Sequence, residues 1–320
     1  MLKIFRAGAP GFETVESPAA SWIMPHDTVW IELISPDRNE ELCVEQALGV
    51  LLPTREEMAE IEASSRLYQE DGATFMTANV LYTADGERLT AGPVTFVLCG
   101  ERLVTIRYFE PRAFNMFIAQ ASRQPSLCPT GAQTLLNLVD AIVDRTADLL
   151  EKTAQEVEQI STAIFTRKRT TRFDEVLSQL GRAQNDNAKI RDSLVSLARL
   201  ISFAGLDDSI GEVKDTRDYL KTLGRDVQSL TDHASYVSGN VTFLLDAALG
   251  LINIEQNSII KIFSVAAVAF LPPTLIASVY GMNFHHMPEL SQPWGYPLAV
   301  GLMVLSAVVP LWWFRTRGWL

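Results

Sequence analysis

The sequence predicts an α+β membrane protein: an N-terminal α/β cytoplasmic domain, a long helical stalk and two C-terminal transmembrane helices. Three features carry that expectation. Residues 1–129 mix short runs rich in Val, Ile, Thr, Phe and Tyr with turn signals. From Thr130 the chain is dense in Leu, Ala, Gln, Glu, Lys and Arg, with apolar residues at helical spacing. Towards its end lie two uncharged runs, IFSVAAVAFLPPTLIASVY (Ile262–Tyr280) and YPLAVGLMVLSAVVPLWWF (Tyr296–Phe314). Each is roughly the 20 residues that cross a hydrocarbon core as a helix.

The elements follow in chain order. Strands are expected at Thr28–Ile34, Thr74–Tyr82, Val94–Cys99 and Arg102–Arg107, punctuated by Asp85-Gly86, Gly92-Pro93 and Cys99-Gly100. The stretch TFVLCGERLVTIR reads as a hairpin turning at Gly100-Glu101, and helices are expected over Pro36–Gly49 and Thr54–Ala63. Residues 130–210 form two long helices, expected to be antiparallel, divided near Lys168–Thr171 and ended by Ala204-Gly205. From Gly211 one helix is expected to run to Tyr280, because Gly224, Gly239 and Gly250 are isolated and tolerable inside it. Residues 211–261 would be stalk, 262–281 the first span, 282–295 a loop, 296–314 the second span and 315–320 a basic tail.

The flanks of the spans set an orientation. Lys261 precedes the first, Arg315 and Arg317 follow the second, and residues 281–295 contain no Lys or Arg. The positive-inside rule therefore puts both termini in the cytoplasm and the loop outside. Trp294, Tyr296, Trp312, Trp313 and Trp319 stand near span ends, where amphipathic rings favour the interface. No basic start followed by a sustained apolar core opens the chain, so no cleavable signal peptide is expected.

Composition narrows the function. The net charge is −11, and from Ile262 onwards only Glu289, Arg315 and Arg317 are charged, a net of +1, which leaves −12 on the preceding residues. Such acidity argues against a nucleic-acid partner, whose phosphates need Lys and Arg, and is compatible with cations. Cys43, Cys99 and Cys128 are odd in number and lack metal-ligand spacing, which reads as reduced cytosolic thiols. The four histidines (His26, His233, His285, His286) accompany no nucleophile motif, and no Gly-rich phosphate loop is present. Neither an enzyme nor an organic cofactor is expected.

One face of the long helix is unusual. Steps of seven from Asp246 give Asn253, Ile260, Ala267 and Thr274, and steps of seven from Gly250 give Asn257, Ser264, Leu271 and Ser278. Interleaved, they make a 3.5-residue repeat of mainly small or polar residues that runs from the stalk into the membrane, the repeat of a seam facing partner helices. Small residues on a membrane helix also serve close packing, an alternative that covers Ser264, Ala267 and Ser278. Asp246, Asn253 and Asn257 fit it less well. On the axis of an oligomer they would form rings of oxygen ligands suited to a hard cation such as Mg2+, and Ile260 and Leu271 would form apolar constrictions. Two spans cannot enclose a pore alone, so such a path requires a ring of identical subunits. Pro272-Pro273, mid-span, leave carbonyls near Val268 and Ala269 without amide partners, which a membrane tolerates only where they are packed or face water.

The segment YGMNFHHMPEL between the spans resembles the signature of the CorA family of magnesium transporters. The preceding GLINIEQNSIIKIFSVAAVAFLPPTLIASVYGMNF and the terminal FRTRGWL are similar to bacterial members, so the likeness is close over roughly residues 240–320 and weaker upstream, at IEASSR. The resemblance implies a homopentamer in the bacterial inner membrane, with a cytoplasmic funnel, first spans lining the pore and second spans outside them. It implies that Asn283 binds hydrated Mg2+ at the outer mouth, with Gly281 and Met282 shaping the turn. It also implies that Thr274, Asn257 and Asp246 are polar pore rings, and that Ile260 and Leu271 fall at gate positions. Members sense cytoplasmic Mg2+ at carboxylates of the funnel, for which Asp226, Asp207, Asp208, Glu212, Asp215 and Asp218 are candidates. Family members usually carry an acidic residue after Asn-Phe, whereas this chain has His285-His286, which with Glu289 become candidate modulators of the mouth. Histidine admits Co2+, Ni2+ or Zn2+. A ZntB-like zinc transporter is therefore one alternative, although ZntB proteins typically lack the Met of the tripeptide. A membrane-anchored metal sensor that conducts nothing is another.

Overall fold

The computed structural model describes residues 1–9, 11–15, 18, 22–60, 62–84, 88–166, 172–282 and 287–318. The chain divides into two compact units, Met1–Leu244 and Leu245–Leu320.

The first unit is built on a seven-stranded sheet of β1 (Leu2–Arg6), β2 (Phe12–Val15), β3 (Thr28–Ile34), β4 (Leu67–Glu70), β5 (Ala73–Ala84), β6 (Arg88–Cys99) and β7 (Arg102–Arg107). The strand order is β2-β1-β3-β7-β6-β5-β4, with β3 and β7 parallel and every other neighbouring pair antiparallel. Helices cover both faces. On one, Val44 of α1 (Arg38–Leu48) and Met58 of α2 (Arg55–Ala59) join Ile4, Ile31, Leu33, Val97, Val104 and Ile106; the one-turn α3 (Ala63–Arg66) leads into β4. On the other, α4 (Arg112–Arg123) sets Phe114 and Phe117 against Trp30, with ring centroids 6.4 and 5.7 Å away. There α5 (Gly131–Phe165) packs on β7 and α6 (Phe173–Ala204) on β5. Burial on both faces is why Thr28–Ile34 reads as an almost continuous apolar run and not as an alternation.

Local chemistry fixes several boundaries. Asp37 and Thr54 cap α1 and α2 through reciprocal capping boxes with Glu40 and Glu57, and Gly49 closes α1 in the left-handed region at φ 74°. The expected strands at 28–34 and 102–107 form with those bounds. The expected break at Gly92-Pro93 does not occur: β6 runs through it, pairing Gly92 with Val80 and Pro93 with Asn79. Glycine stands there because the Phe109 ring lies over it; a Cβ would come within 2.5 Å of that ring. Phe109 in turn stacks on Tyr82 at 4.2 Å. The helix expected over Thr54–Ala63 stops at Ala59, and β1, β2 and β4 were not expected at all. The expected divide at 168–171, like the Asp85-Gly86 turn, lies outside the described residues.

Among the buried polar groups one pair stands apart. The Arg107 Nε and Nη2 donate to Glu32 Oε1 at 3.1 and 2.8 Å, and Nη1 donates to the Phe109 carbonyl at 2.6 Å. Both side chains are at most 1% exposed. Glu32 Oε2 has no hydrogen-bond partner among the described residues.

After the one-turn α7 (Asp208–Gly211) comes α8 (Lys214–Tyr280), unbroken over 67 residues. It starts three residues later than the sequence suggests. Gly211 belongs to the α7 corner, where a Cβ would lie 2.5 Å from the Gly205 carbonyl oxygen. Gly239 and Gly250 sit inside α8 with open space beside them. Within the first unit α8 buries Leu220, Leu223, Val227, Ala234, Val237, Val241 and Leu244, a three-and-four spacing that makes one apolar seam. Asn187 of α6 donates to the Ala234 carbonyl at 2.9 Å, and Gln184 to Ser238 at 3.1 Å.

The second unit holds the rest of α8, a 3-10 turn at Pro288–Ser291 and α9 (Gly295–Thr316). Both helices contain stretches long and apolar enough to cross a membrane, and only 11% of each such stretch is buried within the chain.

Candidate functional site

The second unit shows which side of α8 the chain itself covers. Val265 and Ala269 are buried, and Pro272, Pro273 and Ile276 are half-buried. At 3.6 residues per turn these positions lie on one side of the helix. On α9, Ala299 and Phe314 are buried.

The residues of the 3.5 repeat are elsewhere. Asp246, Asn253, Asn257, Ile260, Ala267, Leu271, Thr274 and Ser278 are exposed and Ser264 is half-buried. Within the apolar stretch the repeat is centred roughly 150° around the helix from the covered side. Its flanks differ from its centre. Phe263 and Phe270, 71% and 72% exposed, lie on one edge, and Val268 and Leu275 on the other. A narrow stripe of mainly small or polar residues thus runs between two bulky apolar borders, exposed along its length except at the half-buried Ser264. The Thr274 hydroxyl donates to the Phe270 carbonyl at 2.7 Å, so its oxygen keeps free lone pairs as an acceptor.

Gly281 and Met282, both exposed, follow directly on α8, and the Gly281 amide donates to the Ala277 carbonyl at 2.9 Å. Asn283, His285 and His286 lie outside the described residues. Glu289 falls in the turn Pro288–Ser291.

The acidic candidates of the first unit separate by their surroundings. Asp207 is occupied locally: it accepts from the Ser209 amide and hydroxyl at 3.1 and 2.5 Å, capping α7, and from the Thr74 hydroxyl of β5 at 2.7 Å. Asp208 lies in the first turn of α7 and Asp215 in that of α8, where a carboxylate complements the helix dipole. Glu212 directly follows α7. Asp218 pairs with Lys221 at 3.5 Å.

Asp226 is different. With Asp140 and Asp148 it acts on Asp144 of α5, an exposed residue whose carboxyl is pushed up by partial desolvation first and then by these three charges. Tyr219 of α8 donates its hydroxyl to Asp140 at 2.8 Å, and its own ionisation is pushed up by burial and then by that bond. Asp140, Asp144 and Asp148 are not among the candidates above, although their spacing of four residues puts them on one face of a helix. Among the described residues no three His, Cys, Asp or Glu converge closely enough to hold a metal ion. Cys128 is inert by the same physics: burial pushes its thiol up to about 11.

A polar unit built on a seven-stranded mixed sheet, one helix running from it into an apolar stretch, and a second apolar helix define a two-span membrane protein. The chain belongs to the family of CorA-like Mg2+ transporter proteins, whose profile matches residues 25–316. That family is one of transporters, not enzymes. The chain is 36% identical over 296 residues, 92% of each chain, to the magnesium transport protein CorA of Escherichia coli K12. Its fold matches the complete CorA magnesium transporter of Methanocaldococcus jannaschii with a TM-score of 0.81 at 19% identity, covering 100% of this chain and 99% of that one. It also matches the ZntB cytoplasmic domain of Vibrio parahaemolyticus with a TM-score of 0.58 at 12% identity, covering 78% of this chain and 97% of that one.

Proposed function

We propose that the chain forms a homopentameric channel that admits Mg2+ across the bacterial inner membrane, with both termini in the cytoplasm. Residues 262–281 and 296–314 cross the membrane and residues 282–295 face outwards. The observation that carries this reading is the uncovered stripe from Asp246 to Ser278. In a ring of α8 helices the stripe faces the axis, and the bulky borders pack against neighbouring subunits and lipid. Asp246, Asn253, Asn257, Ser264, Thr274 and Ser278 then offer oxygens to a hydrated cation, while Ile260 and Leu271 narrow the path. Gly281, Met282 and Asn283 form the entrance, the amide oxygen of Asn283 receiving the ion's water shell. Inward movement of a divalent ion gains roughly 4.6 kcal/mol per 100 mV, twice the single-charge value, so the membrane potential suffices as driving force.

Cytoplasmic Mg2+ closes the channel in this reading. The carboxylates of Asp140, Asp144, Asp148 and Asp226 repel one another, and a divalent ion relieves that repulsion. No complete site exists in one chain among the described residues, so the remaining ligands come from a neighbouring subunit. Asp207, bound to Thr74 and Ser209, is the least suited of the acidic candidates.

A transition-metal reading rests on His285 and His286, whose imidazoles suit Co2+, Ni2+ or Zn2+. Met282 and the 36% identity to a magnesium transport protein favour Mg2+. Proteoliposome flux with Mg2+, Co2+, Ni2+ and Zn2+, alone and in competition, tests both. Mg2+ uptake that collapses in Asn283→Ala is expected. Zn2+ uptake untouched by excess Mg2+ supports the second reading, and flux unchanged in Asn283→Ala removes the mouth from the mechanism. Absence of any flux leaves the non-conducting sensor.

A further inference from the structure

A cleft lined by two arginines lies far from the stripe in sequence, between the start of β6 and α6. Its volume is about 540 Å³, within the range of small-molecule sites. Ser178, Gly181, Arg182 and Asn185 line it from α6, at spacings of three, four and seven residues, which is one helix face. Arg88 and the Leu89 side chain line it from β6.

Its charge is unbalanced. Neither Arg88 nor Arg182 lies within 4.0 Å of a carboxylate oxygen among the described residues, although the chain has 38 acidic residues to 27 Lys and Arg. Lys189, one turn further along α6, donates to the Leu89 carbonyl at 2.6 Å, fixing the strand end beside the helix. Asp186 is the one carboxylate in the described lining, so two guanidiniums face a single negative charge. Around them stand a hydroxyl and an amide, both able to donate, and at Gly181 a Cβ would meet nothing within 4 Å. Fork-shaped donors with neutral donors beside them are the chemistry that recognises phosphate oxygens.

We propose that this cleft binds a phosphate chain, carried by a nucleotide or free as inorganic polyphosphate. Arg88 and Arg182 hold the phosphate oxygens, Ser178 and Asn185 complete their hydrogen bonds, and Leu89 offers the one apolar surface. The proposal is independent of the transport reading.

Full-length protein in nanodiscs is titrated with radiolabelled ATP in buffer containing EDTA, so that no metal bridges the two. Saturable binding is expected, displaced by inorganic tripolyphosphate and not by adenosine. Arg88→Ala and Arg182→Ala each weaken it by about tenfold, the loss of a charge-assisted hydrogen bond. Arg182→Lys, which keeps the charge, loses less. Arg172→Ala, which removes an arginine paired with Asp174 and Glu175, leaves binding unchanged. Tighter binding of ATP than of tripolyphosphate identifies a nucleotide as the natural source, and equal binding identifies free polyphosphate. No saturation at millimolar ATP overturns the proposal. So does displacement by adenosine, an equal loss in Arg172→Ala, or wild-type binding by the Arg88→Ala/Arg182→Ala variant. Circular dichroism of each variant shows that the fold is retained, and Arg88→Gln or Arg182→Gln replaces the alanine variant at the same position if that one fails to fold.

Discussion

Glu32, midway along β3, and Arg107, at the end of β7, tie the parallel pair β3–β7 together with a charge pair that water does not reach. A buried pair of this kind costs much desolvation, so its presence adds little net stability, but removing one partner strands the other. Glu32 already has one carboxylate oxygen without a partner among the described residues, so Arg107 carries nearly all of its compensation there. Arg107→Ala or Glu32→Ala is therefore expected to destabilise the first unit by about 3–5 kcal/mol. The double variant Glu32→Leu/Arg107→Met should recover most of that loss. Denaturant titration of the three variants checks it; a double variant as unstable as the sum of the singles contradicts this view of the pair. Nothing in the sequence marks Glu32 as buried, because an acidic residue in a strand most often points to solvent. Its partner is 75 residues away, and only the β3–β7 pairing brings them together. Asn187 is of the same kind, an amide buried to 1% exposure that a helical pattern alone would assign to the surface.

At the scale of elements, periodicity made much of the fold legible. The α8 helix was readable from its helical spacing to within three residues of its start. What failed was local punctuation. Gly92-Pro93 looks like a turn, yet the glycine is there to admit Phe109, a contact set by tertiary packing. β1, β2 and β4 are four or five residues long and too short to stand out from neighbouring loops. The α5–α8 pairing yields a prediction at this scale. A raised Asp144 pKa means that its protonated form is favoured in the folded state. That contribution to stability is fully present in acid and is lost as pH rises through the raised pKa. Asp144→Asn should therefore melt above wild type at neutral pH, and the gap should close as pH falls below about 4, the ordinary aspartate value. The effect is small, a few tenths of a kcal/mol, because Asp144, Asp148 and Asp226 are exposed and screened. Mg2+ should raise the wild type more than the variant if the ion binds these carboxylates. Melting curves across pH with and without Mg2+ check both statements, and an Asp144→Asn variant less stable than wild type at pH 7 contradicts the electrostatics.

At the scale of the whole molecule, the stripe turns a two-helix hairpin into a candidate wall of an ion path. Its small and polar residues were legible from a 3.5-residue repeat. That they lie away from the side covered within the chain, and between borders of Phe263, Phe270, Val268 and Leu275, was not, since sequence does not say which face a second helix takes. The proposed number of subunits and the proposed ion come from outside the pattern altogether, one from resemblance and the other from Met282 and the likeness to a magnesium transport protein. The most direct test is single-cysteine block of Mg2+ flux along α8, in proteoliposomes and in a background with Cys43, Cys99 and Cys128 replaced. A charged thiol reagent is expected to stop flux at positions 267, 271, 274 and 278 and to leave it intact at 265, 269 and 276. Block at the covered positions with none along the stripe would contradict the claim that this face of α8 lines the path.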